Sequence, residues 1–345
     1  MKRLNVVQIG IGHDHATSGF NSILKQDDIY NVLGFAVPEN EFYECQLEDM
    51  HYDDRIKEYR DDRKIPFYTV EKALSLPNVE AAIIETDEKN LTKYAILAAE
   101  KGLHVYMDKP GSFSYSDFEK LVNILKEKNL AFSVGYMYRY NPKVREAIKK
   151  IEDGEIGEVY CVEAHMDCEH KVEKRQWLEK FPAGMLCFLG CHLIDLIYRI
   201  QGEPKEVIPL SCSSDFDNVT ADDYGMVVYR YPHGISFAKS CAYEIGGFRR
   251  RQLVICGTKG SIEIKPFEVL TDERDMLYTE SRETYPNEGW NSAGNQSCSG
   301  YFNRFDDMMR DFAMVALGEK KNDYGYDYEL GLYKLLMRSC GGKIE

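Results

Sequence analysis

The sequence has no long basic segment, no long uninterrupted apolar stretch and no C-x-x-C cysteine pair. The 345 residues include 43 lysines and arginines against 57 aspartates and glutamates, which gives a formal net charge of −14, and the longest basic run is the triplet 249–251. Binding to nucleic acid depends on a basic surface that neutralises phosphates, so we expect no nucleic acid partner. No segment reaches the roughly 18 consecutive apolar residues that indicate a membrane helix, so we expect no membrane partner.

The cysteines indicate a reducing environment. Ten of them are spread along the chain without a C-x-x-C pair. The apolar run at the N-terminus is interrupted by Asn5, Gln8 and Gly10 before it could form the core of an export signal. A disulfide framework is typical of small exported domains, so we expect reduced thiols and a cytoplasmic protein.

The order of apolar segments predicts two domains, in line with the length of the chain. Up to about residue 135, short apolar runs such as 4–9 and 81–84 alternate with helical patterns. This alternation is typical of an α/β domain with a doubly wound parallel sheet. Beyond residue 135, strand patterns become frequent, and turns at 232–234 and 257–260 indicate hairpins. We therefore predict an α/β domain over residues 1–135 and an α+β domain with a large, mostly antiparallel sheet over residues 136–345.

Two finer features are predicted in the second domain. Apolar residues at helical spacing predict one helix over 185–200. The polar segment 287–300, rich in glycine, serine and asparagine, is predicted to be a loop.

A glycine turn after the first predicted strand indicates a dinucleotide site. Gly10 and Gly12 lack side chains that would keep the backbone from a pyrophosphate at the N-terminus of the following helix. His15 stands where the fingerprint has its third glycine, and Glu39 is the carboxylate nearest to the end of the second strand. The pattern favours NAD, with NADP as the alternative. A glycine turn in an α/β fold that binds no nucleotide is the competing interpretation.

Lys109 and His192 have the chemistry that alcohol oxidation requires. Lys109 follows the strand 103–107, and ligands of open α/β sheets bind beyond the carboxyl ends of the strands. Its ammonium could stabilise a developing alkoxide, although a lysine at a strand end is often simply solvated. The imidazole of His192, with Asp195 one helical turn onward, could accept the alcohol proton. A core histidine hydrogen-bonded to Asp195 is the alternative.

Two groups of potential metal ligands occur in the sequence. His13 and His15 flank Asp14 beside the expected phosphate turn, where cofactor contact or helix capping is the more economical interpretation. Two cysteines within the segment 185–200 have no fourth ligand at the usual spacing. We therefore predict no metal, and we expect His13 to contact the cofactor.

Several segments in this order resemble the glucose-fructose oxidoreductase and myo-inositol 2-dehydrogenase family of NAD(P)-dependent sugar and polyol oxidoreductases. They are the turn at Gly10 and Gly12, the segment 95–105 that leads to Asp108-Lys109-Pro110, Tyr138-Arg139-Tyr140-Asn141-Pro142, the segment 156–159, and Gly190-x-His192-x-x-Asp195. The resemblance covers nearly the whole chain. It implies an N-terminal Rossmann domain and a C-terminal domain with an open antiparallel sheet, in a homodimer or homotetramer.

The resemblance also implies roles for individual residues. Lys109 matches the active-site lysine and His192 the catalytic histidine. Besides the glycine turn and Glu39, the expected cofactor contacts are Asp108, Lys109 and Pro110. The expected substrate contacts are Tyr138, Arg139, His165 and Asp195.

The main departure from the family pattern is Phe188, because typical members have an aspartate there. The leading hypothesis is oxidation or reduction of a secondary alcohol of a sugar, polyol or glycoside. A redox-assisted glycoside hydrolase or lyase with no net cofactor change, and a non-catalytic relative that binds sugar or nucleotide, are the alternatives.

Overall fold

The computed structural model describes residues 2–39, 52–271, 276–286, 289 and 291–342. The chain forms two compact units, Met1–Tyr136 with Phe305–Tyr333, and Met137–Arg304 with Lys334–Ile344. The first unit thus includes a C-terminal segment, 305–333, that lies within the predicted second domain. Within the described residues, no helix is both long enough and apolar enough to cross a bilayer.

The first unit contains a six-stranded parallel sheet. Its strands are β1 (Leu4–Ile9), β2 (Tyr30–Ala36), β3 (Phe67–Tyr68), β4 (Ala81–Ile84), β5 (His104–Met107) and β6 (Phe132–Val134). They lie in the order β3-β2-β1-β4-β5-β6 with every neighbouring pair parallel. The predicted doubly wound sheet is therefore confirmed. The strand order reverses between β1 and β4, and such a switch point is where ligands of open α/β sheets bind.

Helices accompany this sheet. They are α1 (Ala16–Lys25), α2 (Tyr52–Lys57), a π-helix (Glu58–Asp62), α3 (Val70–Ala73), α4 (Leu91–Glu100), α5 (Tyr115–Glu127), α11 (Asp306–Ala316) and the part of α12 (Tyr326–Ser339) up to residue 333. Every residue of β4 is fully buried, as a parallel strand covered on both faces requires. Helix α11 belongs to this unit because Met308 and Phe312 are buried against Tyr106 of β5.

The second unit contains a larger, mixed sheet. Its strands are β7 (Val159–His165), β8 (Glu206–Cys212), β9 (Tyr224–Tyr231), β10 (Gly234–Cys241), β11 (Gln252–Gly257), β12 (Gly260–Ile264), β15 (Glu280–Thr284) and β16 (Asn295–Cys298), while β13 (Val269–Leu270) and β14 (Leu277–Tyr278) pair separately. The order is β16-β15-β12-β11-β7-β10-β9-β8. Among the strand pairs that the described residues form in this sheet, only β7–β10 is parallel, so the prediction of a mostly antiparallel sheet is confirmed.

Helices accompany this second sheet. They include α6 (Pro142–Glu152), α7 (Val172–Trp177), α8 (Met185–Phe188), α9 (Cys191–Gln201) and α10 (Gly247–Arg250). Helix α9 packs against β7 and β10, and Ser236 of β10 donates a hydrogen bond to the Gln201 side chain at the end of α9. In β7, buried Val162 and Ala164 alternate with the more exposed Glu163, which places Val162 and Ala164 on the helix-covered face.

Two local predictions differ from the structure. The predicted helix 185–200 is two helices, α8 and α9, separated at Leu189 and Gly190. A side chain at Gly190 would approach the Leu186 carbonyl oxygen to 2.5 Å, so the chain turns closely there, although the apolar spacing continues across the break. The predicted loop 287–300 contains β16, a strand of exposed residues. It pairs with β15 through its backbone, a pairing that apolar alternation cannot reveal; residues 287, 288 and 290 of that segment lie outside the described residues.

Candidate active-site residues

The glycine turn follows β1 in the first unit. Gly10 has a φ of +86°, and a Cβ there would come within 2.6 Å of the Thr86 backbone at the end of β4. Gly10 N donates to the Ala36 carbonyl at the end of β2, and His13 N donates to the Glu85 carbonyl after β4. Glycine is therefore required at position 10 for both the backbone conformation and the close approach. Gly12 lies buried in the same turn.

A cleft of about 940 Å³ opens beside the ends of β2 and β3. Glu39 lies on its wall with an exposed carboxylate, and the aromatic rings of Phe67, Tyr68 and Tyr94 also line it. The volume is typical of a small-molecule site. Aromatic faces suit an adenine ring, and a carboxylate at the end of the second strand suits the ribose hydroxyls of NAD. The residues present therefore fit the adenosine part of a dinucleotide.

Asp108 and Lys109 directly follow β5, and their side chains are buried. The carbonyl oxygen of Lys109 lies 3.0 Å from Nε2 of His13, and Thr92 donates a hydrogen bond to the carbonyl of Gly111 beyond Pro110. The first contact joins the glycine turn to the end of β5, and the second joins α4 to the segment that follows β5. The structure therefore brings Lys109 and the glycine turn together within one unit, as the rule for carboxyl ends of strands predicts.

A buried group of imidazoles and carboxylates lies beside Lys109. Nδ1 of His15 is 3.2 Å from both carboxylate oxygens of Asp108. Nδ1 of His13 is 3.4 Å from Asp108 Oδ2 and 3.9 Å from Oε2 of Glu85. His13, Glu85 and Asp108 are fully buried, whereas the side chain of His15 is 16% exposed. The ring nitrogens of His13 contact the Lys109 carbonyl and the His15 amide, so this ring supports the turn from within.

Burial and charge set the protonation of this group. Burial, opposed by the Asp108 charge, lowers the pKa of His13 to about 3, so the ring is neutral at neutral pH. Burial and the Asp108 carboxylate raise the pKa of Glu85 well above its usual range. Burial also disfavours ionisation of Asp108, but the two imidazoles and Lys109 outweigh it and hold the pKa of Asp108 well below its usual range. The group can therefore hold a proton on Glu85 beside an ionised Asp108.

His192 lies near the start of α9 in the second unit and is fully buried. The ring of Tyr138 stands edge-on to it, with 4.9 Å between ring centres. Tyr138 Oη donates to Oε2 of Glu268 at 3.0 Å, and Arg304 donates to both oxygens of the same carboxylate at 2.5 and 2.8 Å. Burial and the Glu268 charge raise the pKa of Tyr138 above its usual value, so the phenol stays protonated. Tyr138 therefore fixes one side of the His192 ring and is itself fixed by Glu268.

Arg139 and Asp195 form an ion pair inside the second unit. Arg139 Nε lies 3.0 Å from each carboxylate oxygen of Asp195, and Nη2 lies 2.8 Å from Oδ1. Both side chains are 1% exposed. This pair links the segment after β6 to the middle of α9.

Phe188 belongs to a buried aromatic cluster in the second unit. Its ring centre lies 5.3 Å from that of Trp177 and 5.2 Å from that of Phe181. The ammonium of Lys174 lies 3.9 Å from the Trp177 ring centre and 4.8 Å from that of Phe188, which is within cation–π range. At the position where typical family members have an aspartate, this chain thus has a phenyl ring that packs in an aromatic cluster.

His165 is the predicted site residue that the structure places apart from His192. It alternates with Val162 and Ala164 along β7, so its side chain lies on the face opposite α9. There its ring neighbours Phe237, with 5.5 Å between ring centres. Lys109 belongs to the first unit and His192 to the second.

Sequence reasoning missed Glu85 and Glu268. Glu85 directly follows the buried strand 81–84, so the rule for carboxyl ends that singles out Lys109 would have indicated it as well. No pattern in the sequence indicates Glu268, because its partner Tyr138 is 130 residues away in the chain.

The fold and these residues define a dinucleotide-binding α/β protein with a second, sheet-containing unit, and comparisons with known proteins name its family. Residues 5–136 match the family described as "Oxidoreductase family, NAD-binding Rossmann fold", and residues 144–263 match the "GFO/IDH/MocA C-terminal domain". The chain belongs to the GFO/IDH/MocA family of NAD-binding oxidoreductases, which confirms the resemblance and the NAD prediction.

Among its relatives is the 2,7-anhydro-N-acetylneuraminate hydratase of Escherichia coli (strain K12), 28% identical over 197 residues, 54% of this chain and 51% of the relative. The levoglucosan dehydrogenase of Pseudarthrobacter phenanthrenivorans is 28% identical over 133 residues, 37% of this chain and 34% of the relative. These alignments thus span about half of each curated relative or less. A solved levoglucosan dehydrogenase in complex with NADH and levoglucosan shares the fold, with a TM-score of 0.76 at 17% identity over 99% of this chain and 98% of that one.

Proposed function

We propose that this protein is an NAD-dependent oxidoreductase that oxidises or reduces a secondary alcohol of a sugar, polyol or glycoside. The observation that supports this most is the position of Lys109, buried at the carboxyl end of β5 and joined by its carbonyl to His13 of the glycine turn. Bound NAD would supply the hydride acceptor or donor. Gly10, Gly12 and Glu39 would hold it, with the adenosine in the cleft beside β2.

Lys109 would hold the reacting oxygen. A buried ammonium forms stronger hydrogen bonds than a solvated one, and an alcohol that loses hydride develops negative charge on its oxygen. Lys109 would therefore bind the alkoxide-like state more tightly than the alcohol. The bonds of its backbone to Asp108 and His13 fix the start of the side chain, which reduces the reorganisation that the reaction requires.

His192 would exchange the alcohol proton. An imidazole is suited to this task near neutral pH, and Tyr138 holds one side of the ring. Arg139 and Asp195 would act as positioning residues for α9, because their charged groups already bind each other.

A redox-neutral reaction is the second candidate. Two relatives named as hydratases support it. Phe188 supports it as well, because a phenyl ring packed among aromatic residues lies where typical members of the family have an aspartate. In such a reaction, hydride would return to the same substrate molecule after a substituent has left or water has been added.

The expected homodimer or homotetramer and the cytoplasmic location stay predictions.

The test is a substrate panel with NAD, in which NADH absorbance and product mass are measured together. The panel contains myo-inositol, glucose, levoglucosan and 2,7-anhydro-N-acetylneuraminate. NADH formed in equal amount to product indicates a dehydrogenase, whereas product without NADH indicates the redox-neutral reaction. Lys109→Ala and His192→Ala should each abolish turnover, while the controls Lys120→Ala and His233→Ala, which change exposed residues, should not. Unchanged turnover in both active-site variants would contradict the assignment.

A further inference from the structure

Four side chains converge at the carboxyl edge of the first sheet. His13 and His15 come from the turn after β1, Glu85 follows β4 and Asp108 follows β5. One ligand atom from each of His13, His15 and Asp108 lies within 4.8 Å of the others. The carboxylate that His15 contacts is that of Asp108, which lies 93 residues further along the chain.

The hydrogen bonds of His13 define its tautomer. Its Nε2 lies 3.0 Å from the carbonyl oxygen of Lys109, and a carbonyl oxygen can only accept. Nε2 therefore carries the proton, and Nδ1 presents a lone pair. A histidine that binds a metal commonly donates its other ring N–H to a backbone carbonyl in this way.

The lone pair of His13 faces negative charge. Oδ2 of Asp108 lies 3.4 Å from Nδ1, and Oε2 of Glu85 lies 3.9 Å from it. The His15 backbone N–H donates to the same nitrogen at 3.1 Å. Neither carboxylate oxygen of Glu85, both fully buried, receives a hydrogen bond from the described residues. Buried carboxylates that face a lone pair are unfavourable unless a proton or a cation lies between them.

Two distances within the group are close to those of a coordination sphere, whereas the 3.9 Å from His13 Nδ1 to Oε2 of Glu85 is longer and would shorten on binding. Metal bonds of 2.0 to 2.2 Å in tetrahedral geometry place neighbouring ligand atoms about 3.3 Å apart. The observed separations to Asp108 are 3.2 Å from His15 and 3.4 Å from His13. The two carboxylates, once both are ionised by cation binding, also carry the charge that balances a divalent cation.

We propose that His13, His15, Glu85 and Asp108 bind one divalent transition-metal cation. Imidazole nitrogen combined with carboxylate oxygen favours Zn²⁺, Mn²⁺ or Fe²⁺ over Ca²⁺ and Mg²⁺, which prefer oxygen ligands alone. The cation would take the lone pair of His13 Nδ1 that now accepts from the His15 amide. By joining segments that follow β1, β4 and β5, it would fix the glycine turn and the backbone of Lys109. This proposal does not depend on the proposed reaction, because it concerns binding in the first unit alone.

The test uses the full chain after removal of metal with a chelator. Zn²⁺ is added in a calorimetric titration, and Co²⁺ is added separately because its visible absorption reports nitrogen and oxygen ligands. We expect one ion per chain, and affinity at least about 100-fold weaker in Asp108→Asn and His15→Ala. Glu85→Gln preserves side-chain shape and should weaken binding without unfolding the protein, which circular dichroism checks. His233→Ala, which changes an exposed histidine of the second unit, is the control and should bind as the parent does.

Two results would overturn the proposal. One is a folded parent protein that binds neither Zn²⁺ nor Co²⁺ at one ion per chain; the carboxyl groups of Glu85 and Asp108 would then share a proton instead. The other is stoichiometric binding that survives in the Glu85, Asp108 and His15 variants alike. Because no substrate or cofactor is present in this titration, either result leaves the proposed oxidoreductase reaction to its own test.

Discussion

The ion pair between Arg139 and Asp195 allows a quantitative prediction. Both side chains are 1% exposed, and three N–O contacts of 2.8 to 3.0 Å join them. Removal of one partner leaves the other as a buried, unpaired charge, which typically costs about 3–5 kcal/mol. Arg139→Met and Asp195→Leu should therefore each lower the free energy of unfolding by about that amount.

The double variant separates the contribution of the ion pair from the cost of leaving either charge buried and unpaired. An apolar pair of similar volume leaves no buried charge and is often close to neutral in stability. Arg139→Met combined with Asp195→Leu should therefore be more stable than either single variant. If the double variant is close to neutral and each single variant costs about 3–5 kcal/mol, the coupling energy is about 6–10 kcal/mol in magnitude. A purely catalytic role for Asp195 predicts no such recovery.

Urea unfolding measures these changes. Trp177 is a buried fluorophore of the same unit, and circular dichroism gives an independent signal. The pair Arg230–Glu206 is the matched control, since it joins opposite residues of β8 and β9 at 61% and 49% exposure and should contribute about 0–1 kcal/mol. The reasoning would be refuted if each single variant of Arg139 and Asp195 cost less stability than loss of the control pair. It would also be refuted if the cost of the double variant equalled the sum of the two single costs.

Three further predictions concern single residues. Tyr138→Phe removes the phenol that donates to buried Glu268 and should lower the free energy of unfolding by about 1.5–3 kcal/mol in urea; an unchanged midpoint would contradict this. Burial, opposed by Lys239, raises the pKa of Asp167 from 3.8 to about 6, so the folded state binds this proton more tightly and the free energy of unfolding should fall as pH rises between those values. In Asp167→Asn, the free energy of unfolding should depend less on pH in this range. A slope identical to that of the parent would contradict the prediction. Glu39→Gln removes a carboxylate that would repel the 2′-phosphate of NADPH and should change the ratio of NADH to NADPH affinity by about tenfold; fluorescence titrations of both cofactors would show an unchanged ratio if Glu39 lies away from the ribose.

The sequence predicts much of the framework because periodicity and turn chemistry act locally. The run 81–84 is a strand buried on both faces, and the turns 232–234 and 257–260 join β9 to β10 and β11 to β12. The proximity of Lys109 to the glycine turn also follows, since carboxyl ends of parallel strands share one edge.

Other features depend on contacts that no local pattern contains. Helical spacing shows that α11 has an apolar face but not which sheet it covers, and Tyr106 of β5 contacts that face. The spacing of His192 and Asp195 predicts that they are neighbours on a helix, but not that Arg139 holds the carboxylate. The partnership of His15 with Asp108 likewise arises only when the turn after β1 meets the end of β5.

The most direct test of the central claim is a fluorescence titration of the purified protein with NADH and, separately, with NADPH. The account predicts saturable binding of NADH, weaker binding of NADPH, and loss of NADH binding in Gly10→Ala, where the added Cβ would meet the Thr86 backbone. A folded protein that binds neither cofactor would contradict the account.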